Sequence, residues 1–148
     1  MGNLGFYGFS KKSQPVVATG GIESDIYNWR IHKFLASGFL IVYQPIYVDY
    51  LLVAGGGGGG ASRGGGGGAG GIIFENAYLT EKIYSITVGN GASMINDSAG
   101  GVGGNSIFNN LVAIGGGGGA RGGGNTATGG GSGTTLTLQK DGQKLEVK

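Results

Sequence analysis

The stretch VDYLLVAGGGGGGASRGGGGG, residues 48–68, decides the fold, because a strand-like apolar run leads directly into glycine. Thirty-eight of the 148 residues are glycine, and most of them lie in runs such as 55–60 and 115–119. A flexible linker is usually polar and rich in serine, whereas these runs are nearly pure glycine beside apolar residues. The sequence therefore predicts that the glycine runs are ordered structure.

Ordered glycine needs a compensating source of stability. Each residue loses about 1–2 kcal/mol of backbone freedom on ordering, and glycine buries no side chain. Backbone hydrogen bonds between close-packed extended segments of polyproline II type, with three residues per turn, can supply it. Such a segment has no internal hydrogen bonds, so each run needs neighbouring runs, strands or another copy of the chain. We therefore expect stabilisation by homo-oligomerisation.

The segments around the glycine runs have strand patterns. Residues 22–35 could begin a short capped helix, but the alternation of Tyr27, Trp29 and Ile31 with polar residues favours a strand. Segments 75–82 and 92–110 are predicted to be connections. Runs of branched and aromatic residues bounded by glycine or proline predict further strands at 39–43, 46–54, 72–74, 83–88 and 111–114.

The C-terminal segment, 134–148, has the clearest local pattern. Asp141-Gly142 is a two-residue hairpin turn sequence between two strand-like runs, and it places Leu138 opposite Leu145. The predicted fold class is all-β, with short antiparallel strands, ordered polyglycine segments of polyproline II type and this C-terminal hairpin.

The composition predicts three regions along the chain. Residues 1–21 form an N-terminal arm that is a candidate docking segment, residues 22–133 form the glycine-rich β domain, and residues 134–148 form the hairpin. At this length one main domain is expected.

An imperfect internal repeat points to candidate binding residues. In 51–68 and again in 111–124 a short strand enters a glycine run that a basic insertion interrupts. Equal construction predicts equal geometry, so we expect the two arginines at comparable tips. There they could contact each other's carbonyls or an external ligand, or they could simply be solvated. Exposed loops on a rigid scaffold commonly carry recognition. The candidate binding residues are Arg63, Arg121, Asn90, Asn96, Asp97, Asn105, Asn109 and Asn110.

Two other polar residues have structural interpretations. Asp49 interrupts an apolar strand, so we expect it to accept backbone hydrogen bonds or to pair with Arg30. His32 is expected to be hydrogen-bonded or to face solvent, in preference to acting as a pH-sensitive contact. Asp141 and Gly142 have the structural role of the hairpin turn.

Little in the sequence supports chemistry. One histidine, no cysteine and no paired carboxylates predict no catalytic site, no metal and no cofactor. The glycine run satisfies GxGxxG, but residues 61–71 contain too much glycine for the helix that a dinucleotide fold requires. A net charge of +2 with 12% charged residues argues against nucleic acid as a partner. The most apolar stretch, 34–54, is interrupted by Gln44, Pro45 and Asp49, which argues against membrane insertion.

The order of these motifs resembles that of a known family. Residues 48–54 followed by six glycines resemble the hallmark of the glycine-rich domain common in tail-fibre and other virion proteins of bacteriophages. Segments 18–39, 83–91 and 106–119 are similar to the family's threonine-glycine lead, its strand-turn and its second glycine run. A more distant similarity is to phage tail-tip adhesins with polyglycine helices.

The resemblance implies a non-enzymatic virion protein of a tail fibre or tail tip that contributes to host attachment. Its implied partners are other virion proteins, further copies of itself, with a trimer favoured, and a host surface receptor. Two alternatives stay open. The chain could be a capsid decoration or head-fibre protein anchored by its arm, or a self-assembling extracellular filament subunit that adds a strand to the next copy.

Overall fold

The computed structural model describes residues 16–94 and 97–123, and the backbone of two strands at 137–140 and 143–146. Every regular element in these residues is a β-strand, which confirms the all-β class. The strands are β1 (Ala18–Thr19), β2 (Ile22–Ile26), β3 (Trp29–Lys33), β4 (Gly38–Val42), β5 (Ile46–Val53), β6 (Ile72–Leu79), β7 (Lys82–Thr87), β8 (Ser106–Phe108), β9 (Leu111–Ala113), β10 (Thr137–Lys140) and β11 (Gln143–Glu146).

All the strand pairs are antiparallel. One sheet has five strands in the order β1-β4-β7-β8-β9, so β1, within the predicted arm, is its edge strand. The pairs β2–β3, β5–β6 and β10–β11 form three two-stranded sheets. In the last of these Leu138 pairs with Leu145, as the sequence predicted, while the turn residues Asp141 and Gly142 lie outside the described residues.

Three of the predicted segments differ in the structure. Residues 22–35 form two strands, because the chain turns at Tyr27-Asn28 and pairs Ile26 with Trp29. β6 continues through Glu75 to Leu79, where a connection was expected. Pairing with all of β5 holds these residues extended although their sequence is polar in part. Segment 92–110 was expected to be loop-like but contains β8, which pairs with both β7 and β9.

The core lies between the five-stranded sheet and the β5–β6 pair. Side chains alternate along β5, so that Leu52 faces inward among Leu40, Val42 and Phe108 while its neighbours face out. Leu79 at the end of β6 is fully buried in the same cluster. Burial of each such side chain contributes about 1.5–3 kcal/mol, which makes this cluster the main hydrophobic source of stability.

Five extended segments without β-pairing continue from the strands: s1 (54–60), s2 (64–71), s3 (90–94), s4 (99–104) and s5 (114–121). They are held by backbone hydrogen bonds that recur at every third residue. Between s1 and s2 these bonds are Ala54 N to Gly71 O (2.9 Å), Gly57 N to Gly68 O (2.8 Å) and Gly60 N to Gly65 O (2.9 Å). A spacing of three supports the predicted polyproline II conformation, in which one turn takes three residues.

The glycine ladders keep the register of the β-ladders from which they emerge. In the β5–β6 ladder the numbers of two paired residues, such as Val53 and Ile72, always add up to the same value. The residues that bond between s1 and s2 give that same value, so the register is unchanged. The β7–β8 register continues into s3–s4, where Gly104 N donates to Asn90 O. The β8–β9 register continues in the same way into s4–s5. Each antiparallel pair therefore changes from the two-residue repeat of a β-ladder to a three-residue hydrogen-bond repeat without a shift in register.

Segment s1 lies at the centre of this glycine bundle. It donates to s2 on one side and to s4 on another, where Gly55 N bonds Gly104 O. It also accepts from s5, which runs parallel to it, through Gly116 N to Gly55 O and Gly119 N to Gly58 O. Because successive backbone groups of a threefold segment point in three directions, one chain can bond several neighbours.

Glycine is needed where two segments touch. A Cβ on Gly57 would lie 2.1 Å from Gly117 O, and one on Gly60 would lie 1.9 Å from Ala120 O. A Cβ on Gly66, on the outside of s2, would meet nothing within 4 Å. The bundle therefore requires glycine at its contacts because backbones pack against backbones there.

Candidate functional site

The candidate site is the end of the glycine bundle that lies away from the sheets. The turn Ala61-Ser62-Arg63 joins s1 to s2 there, and the turn after Arg121 ends s5. Gly122 N donates to Ala61 O at 3.0 Å, and Ala61 N donates to Ser98 O at 3.0 Å. Three separate parts of the chain are therefore fixed side by side, and we call this end the bundle tip.

Backbone conformation at the bundle tip is unusual. Ser62, Arg63 and Asp97 have φ of 53°, 60° and 54°, in the left-handed region, and Gly123 has φ of 81°. For a residue other than glycine this conformation costs of the order of 1–2 kcal/mol. Strained backbone of this kind often occurs at functional positions, so its concentration here supports the choice of site.

The charged groups at the bundle tip are exposed. Arg121 Nη2 donates to Asp97 Oδ1 at 2.5 Å, and both side chains are open to solvent. An exposed pair like this contributes at most about 1 kcal/mol, so its main effect is to fix the two side chains. Arg63 is exposed and makes no ion pair with another described residue. The positive charge of Arg63 is therefore not balanced by a described acidic residue of the bundle tip.

The structure brings together only part of the predicted set. Arg63, Arg121 and Asp97 lie at the bundle tip. The internal repeat predicted comparable positions for the two arginines, whereas it did not involve Asp97. Asn96 lies outside the described residues. Asn109 and Asn110 form the β8–β9 turn with φ of 47° and 70°, at the opposite end of the ladder that runs out to the tip.

The other two candidate asparagines have structural positions between these ends. Asn105 Oδ1 accepts a hydrogen bond from Gly115 N at 2.8 Å, where s4 and s5 leave the sheet. The Asn90 carbonyl accepts from Gly104 N at 2.8 Å. Both residues therefore support the change from β-pairing to glycine pairing.

Sequence reasoning missed two residues of the tip. Ser62 occupies the centre of the first turn, and Gly122 packs against it so closely that a Cβ would lie 1.9 Å from Ser62 O. The three-residue interruption of the glycine run was a signal for Ser62. The close approach of Gly122 arises between distant segments and had no local signal.

Arg30 and His32 both make side-chain hydrogen bonds. Arg30 Nε donates to Asp25 Oδ1 at 2.9 Å, which raises the Arg30 pKa through this hydrogen bond and charge. The structure therefore pairs Arg30 with Asp25, while Asp49 lies exposed opposite Asn76. His32 Nδ1 donates to Gly20 O at 2.9 Å, so this histidine is hydrogen-bonded.

The described residues contain no group of three histidine, cysteine, aspartate or glutamate residues placed to hold a metal ion. Nor does any helix among them have the length and apolarity to cross a membrane. The described side chains of the bundle tip can interact through charge and hydrogen bonding.

Comparison with known proteins gives one match. A family model described as a glycine-rich domain matches residues 37–145. The matched span begins just before β4 and includes all five glycine segments and the bundle tip. No curated protein and no solved structure matches the chain.

Proposed function

The chain belongs to the glycine-rich domain family, and we propose that it is a non-enzymatic structural protein of a bacteriophage particle. In this proposal it forms part of a tail fibre or tail tip and contributes to host attachment. Its partners are other virion proteins, further copies of the chain, with a trimer favoured, and a surface group of the host. The phage assignment rests on the similarity of residues 48–60 and their flanking segments to tail-fibre sequences.

The attachment role is supported by the convergence of three parts of the chain at the bundle tip. Backbone hydrogen bonds fix these parts, so Arg63 is presented on a support that does not have to be ordered on binding. The unbalanced positive charge favours an anionic ligand, such as a phosphate or carboxylate group on a cell surface. Arginine suits such ligands because its planar guanidinium can donate two parallel hydrogen bonds.

Phage adsorption tests this role. Particles that carry Arg63→Ala should adsorb to host cells about tenfold more slowly, because one charge-assisted hydrogen bond contributes about 1.5–3 kcal/mol. Arg63→Lys should restore part of the rate. The matched control is Lys82→Ala, which removes an exposed cation from β7 within the sheet.

Assembly must be measured on the same particles. Equal amounts of the protein in wild-type and variant particles would show that the loss lies in attachment. If Arg63→Ala particles adsorb like those with Lys82→Ala, the bundle tip has no role in binding the host.

A second candidate is the self-assembling filament subunit. It is favoured by the large apolar side chains exposed on β2–β3, among them Trp29 and Ile31. Negative-stain electron microscopy of the purified chain would distinguish the two, because a filament subunit elongates without other virion proteins. The capsid-decoration alternative depends on the arm, of which only residues 16–21 are described.

A further inference from the structure

The β2–β3 hairpin has one apolar and one polar face. The pairing of Ser24 with Ile31 and of Ile26 with Trp29 places these residues on one side, with Ile22 and Lys33. The other side holds charged residues that pair with each other, such as Arg30 with Asp25. The apolar side, called here the hairpin face, consists of Ile22, Ser24, Ile26, Trp29, Ile31 and Lys33.

Within the described part of the chain no other segment covers the hairpin face. Trp29 is 65% exposed and Ile22 is 57% exposed. An isolated two-stranded hairpin is at best marginally stable in water, and contiguous exposed apolar surface usually marks a contact. The hairpin therefore needs a surface to pack on.

A second apolar surface lies on the outside of the β5–β6 pair. Cross-strand pairing groups Tyr47 with Tyr78, whose rings are 4.8 Å apart, and Leu51 with Phe74. Tyr47 is 77% exposed and Leu51 is 62% exposed. This surface, called here the receiving face, consists of Tyr47, Asp49, Leu51, Val53, Ile72, Phe74, Asn76 and Tyr78.

The two faces are similar in width and opposite in charge. Both are two strands wide and apolar, so they can pack as one sheet on another. Each also carries one charge of opposite sign, Lys33 on the hairpin face and Asp49 on the receiving face. Neither of these side chains has an ion pair within the described part of the chain.

The two faces do not meet within one molecule, since both are exposed in the same chain. The hairpin is held at its base, where His32 bonds Gly20 O and only residues 34–37 separate β3 from β4. These attachments connect it to the five-stranded sheet, while the receiving face lies on the other side of the core. A second copy is the occupant that carries both complementary surfaces.

We propose that the hairpin face of one copy docks on the receiving face of the next copy. This inference rests on the proposed function, in which the chain is homo-oligomeric. It identifies the two surfaces through which one copy binds the next. The contact joins two different surfaces, so it closes into a ring such as a trimer when the rotation permits and otherwise extends into a filament.

Mass measurement of matched variants tests the docking. Leu51→Lys on the receiving face should reduce the mass in light scattering after size exclusion to that of one chain, 14.7 kDa. Ile83→Lys is the control, because Ile83 is 59% exposed but lies on the outer face of the five-stranded sheet. The control should keep the wild-type mass. Equal masses for the two variants would overturn the proposal.

Charge exchange tests the pairing of the two faces. Lys33→Asp and Asp49→Lys should each lower the oligomer fraction at a fixed concentration at least tenfold, and the double variant should restore it. Both residues are exposed, so the fold should persist, which circular dichroism verifies. Failure of the double variant to recover the oligomer would contradict the docking.

Mixing tests the head-to-tail geometry. A Trp29→Asp chain keeps an intact receiving face, and a Leu51→Lys chain keeps an intact hairpin face. Each should be monomeric alone, and a mixture should give only dimers of 29.4 kDa, twice the single-chain mass. A monomeric wild-type chain would overturn both the docking and the proposed homo-oligomer, whereas an oligomer indifferent to every variant would overturn the docking alone.

Discussion

At the residue scale, Tyr50 shows how the core affects an ionisable group. It lies on the inner face of β5, with its ring edge-on to Phe108 at a centroid distance of 5.0 Å. Glu75 is its cross-strand partner. Burial first, and the Glu75 charge second, raise the pKa of the Tyr50 phenol. The folded chain therefore holds this proton more tightly than the unfolded chain does.

The raised pKa of Tyr50 predicts a loss of stability at alkaline pH. The stabilisation from the buried neutral phenol is fully present below the pKa of the unfolded chain, about 10. It is lost as pH rises through the higher pKa that Tyr50 has in the folded chain. Tyr50→Phe removes this ionisation, so above pH 10 the urea midpoint of the variant should rise relative to that of the wild type. At pH 8 the two should differ by less than about 1.5 kcal/mol, because the ring volume is kept.

Urea unfolding at pH 8 and pH 11 measures this difference. Tyr47→Phe is the matched control, since it removes the same hydroxyl from the exposed side of the same strand. If Tyr50→Phe and wild type lose stability in parallel between these pH values, the folded core does not retain the proton.

At the element scale, the glycine segments behave as structural elements with their own packing rule. Along s1 the contact positions Gly57 and Gly60 admit no Cβ, while Gly56 and Gly59 leave 3.4 Å and 3.7 Å to the nearest backbone atom. The tolerant positions recur at every third residue, as the hydrogen bonds do. At these tolerant positions a Cβ would lie beside s2, at ordinary contact distance from Ala69 and Gly65.

This rule predicts unequal effects of the same substitution. Gly57→Ala should destabilise the fold by about 3 kcal/mol, because its methyl would overlap Gly117 O and force two segments apart. Gly66→Ala should leave stability unchanged or raise it by about 0.4–1 kcal/mol, since it restricts only the unfolded chain. Thermal and urea unfolding of both variants measure the difference. Equal losses would show that contact between the segments is not the reason for glycine.

The strands show where local pattern was sufficient. β4 and β5 were predicted because branched and aromatic residues fill them between glycine and proline. The second half of β6 was missed because Glu75 and Asn76 interrupt the apolar pattern, and only the partner β5 explains their extended conformation. β8 was missed because its three residues lie among glycine and asparagine.

At the scale of the whole molecule, Ser106 joins the two halves of the fold. It is 1% exposed and lies where β-pairing changes to glycine pairing. Its hydroxyl donates to Val53 O at 2.7 Å and accepts from Gly89 N at 2.9 Å. One side chain thus connects the ends of β5, β7 and β8, from which s1, s3 and s4 depart.

Removal of this hydroxyl should weaken the whole molecule. Ser106→Ala leaves the Gly89 amide and the Val53 carbonyl without a partner at about 1–3 kcal/mol each, so we expect a loss of about 3 kcal/mol. Ser85→Ala, at an exposed position of β7, should change stability by less than about 0.5 kcal/mol. Chemical unfolding gives both values. A Ser106 variant as stable as the Ser85 variant would show that the two halves do not depend on this junction.

The sequence by itself determined the all-β fold class, and it predicted ordered glycine runs and two arginine tips. These follow from local causes, since only glycine permits close backbone contact and strand propensity depends on neighbouring residues. The tertiary structure decided which segments pair, that s1 is central, and that Asn105 supports the junction while Asp97 joins the bundle tip. A polyglycine run has no side-chain pattern to specify a partner, so its partners follow from the registers of the strands on either side.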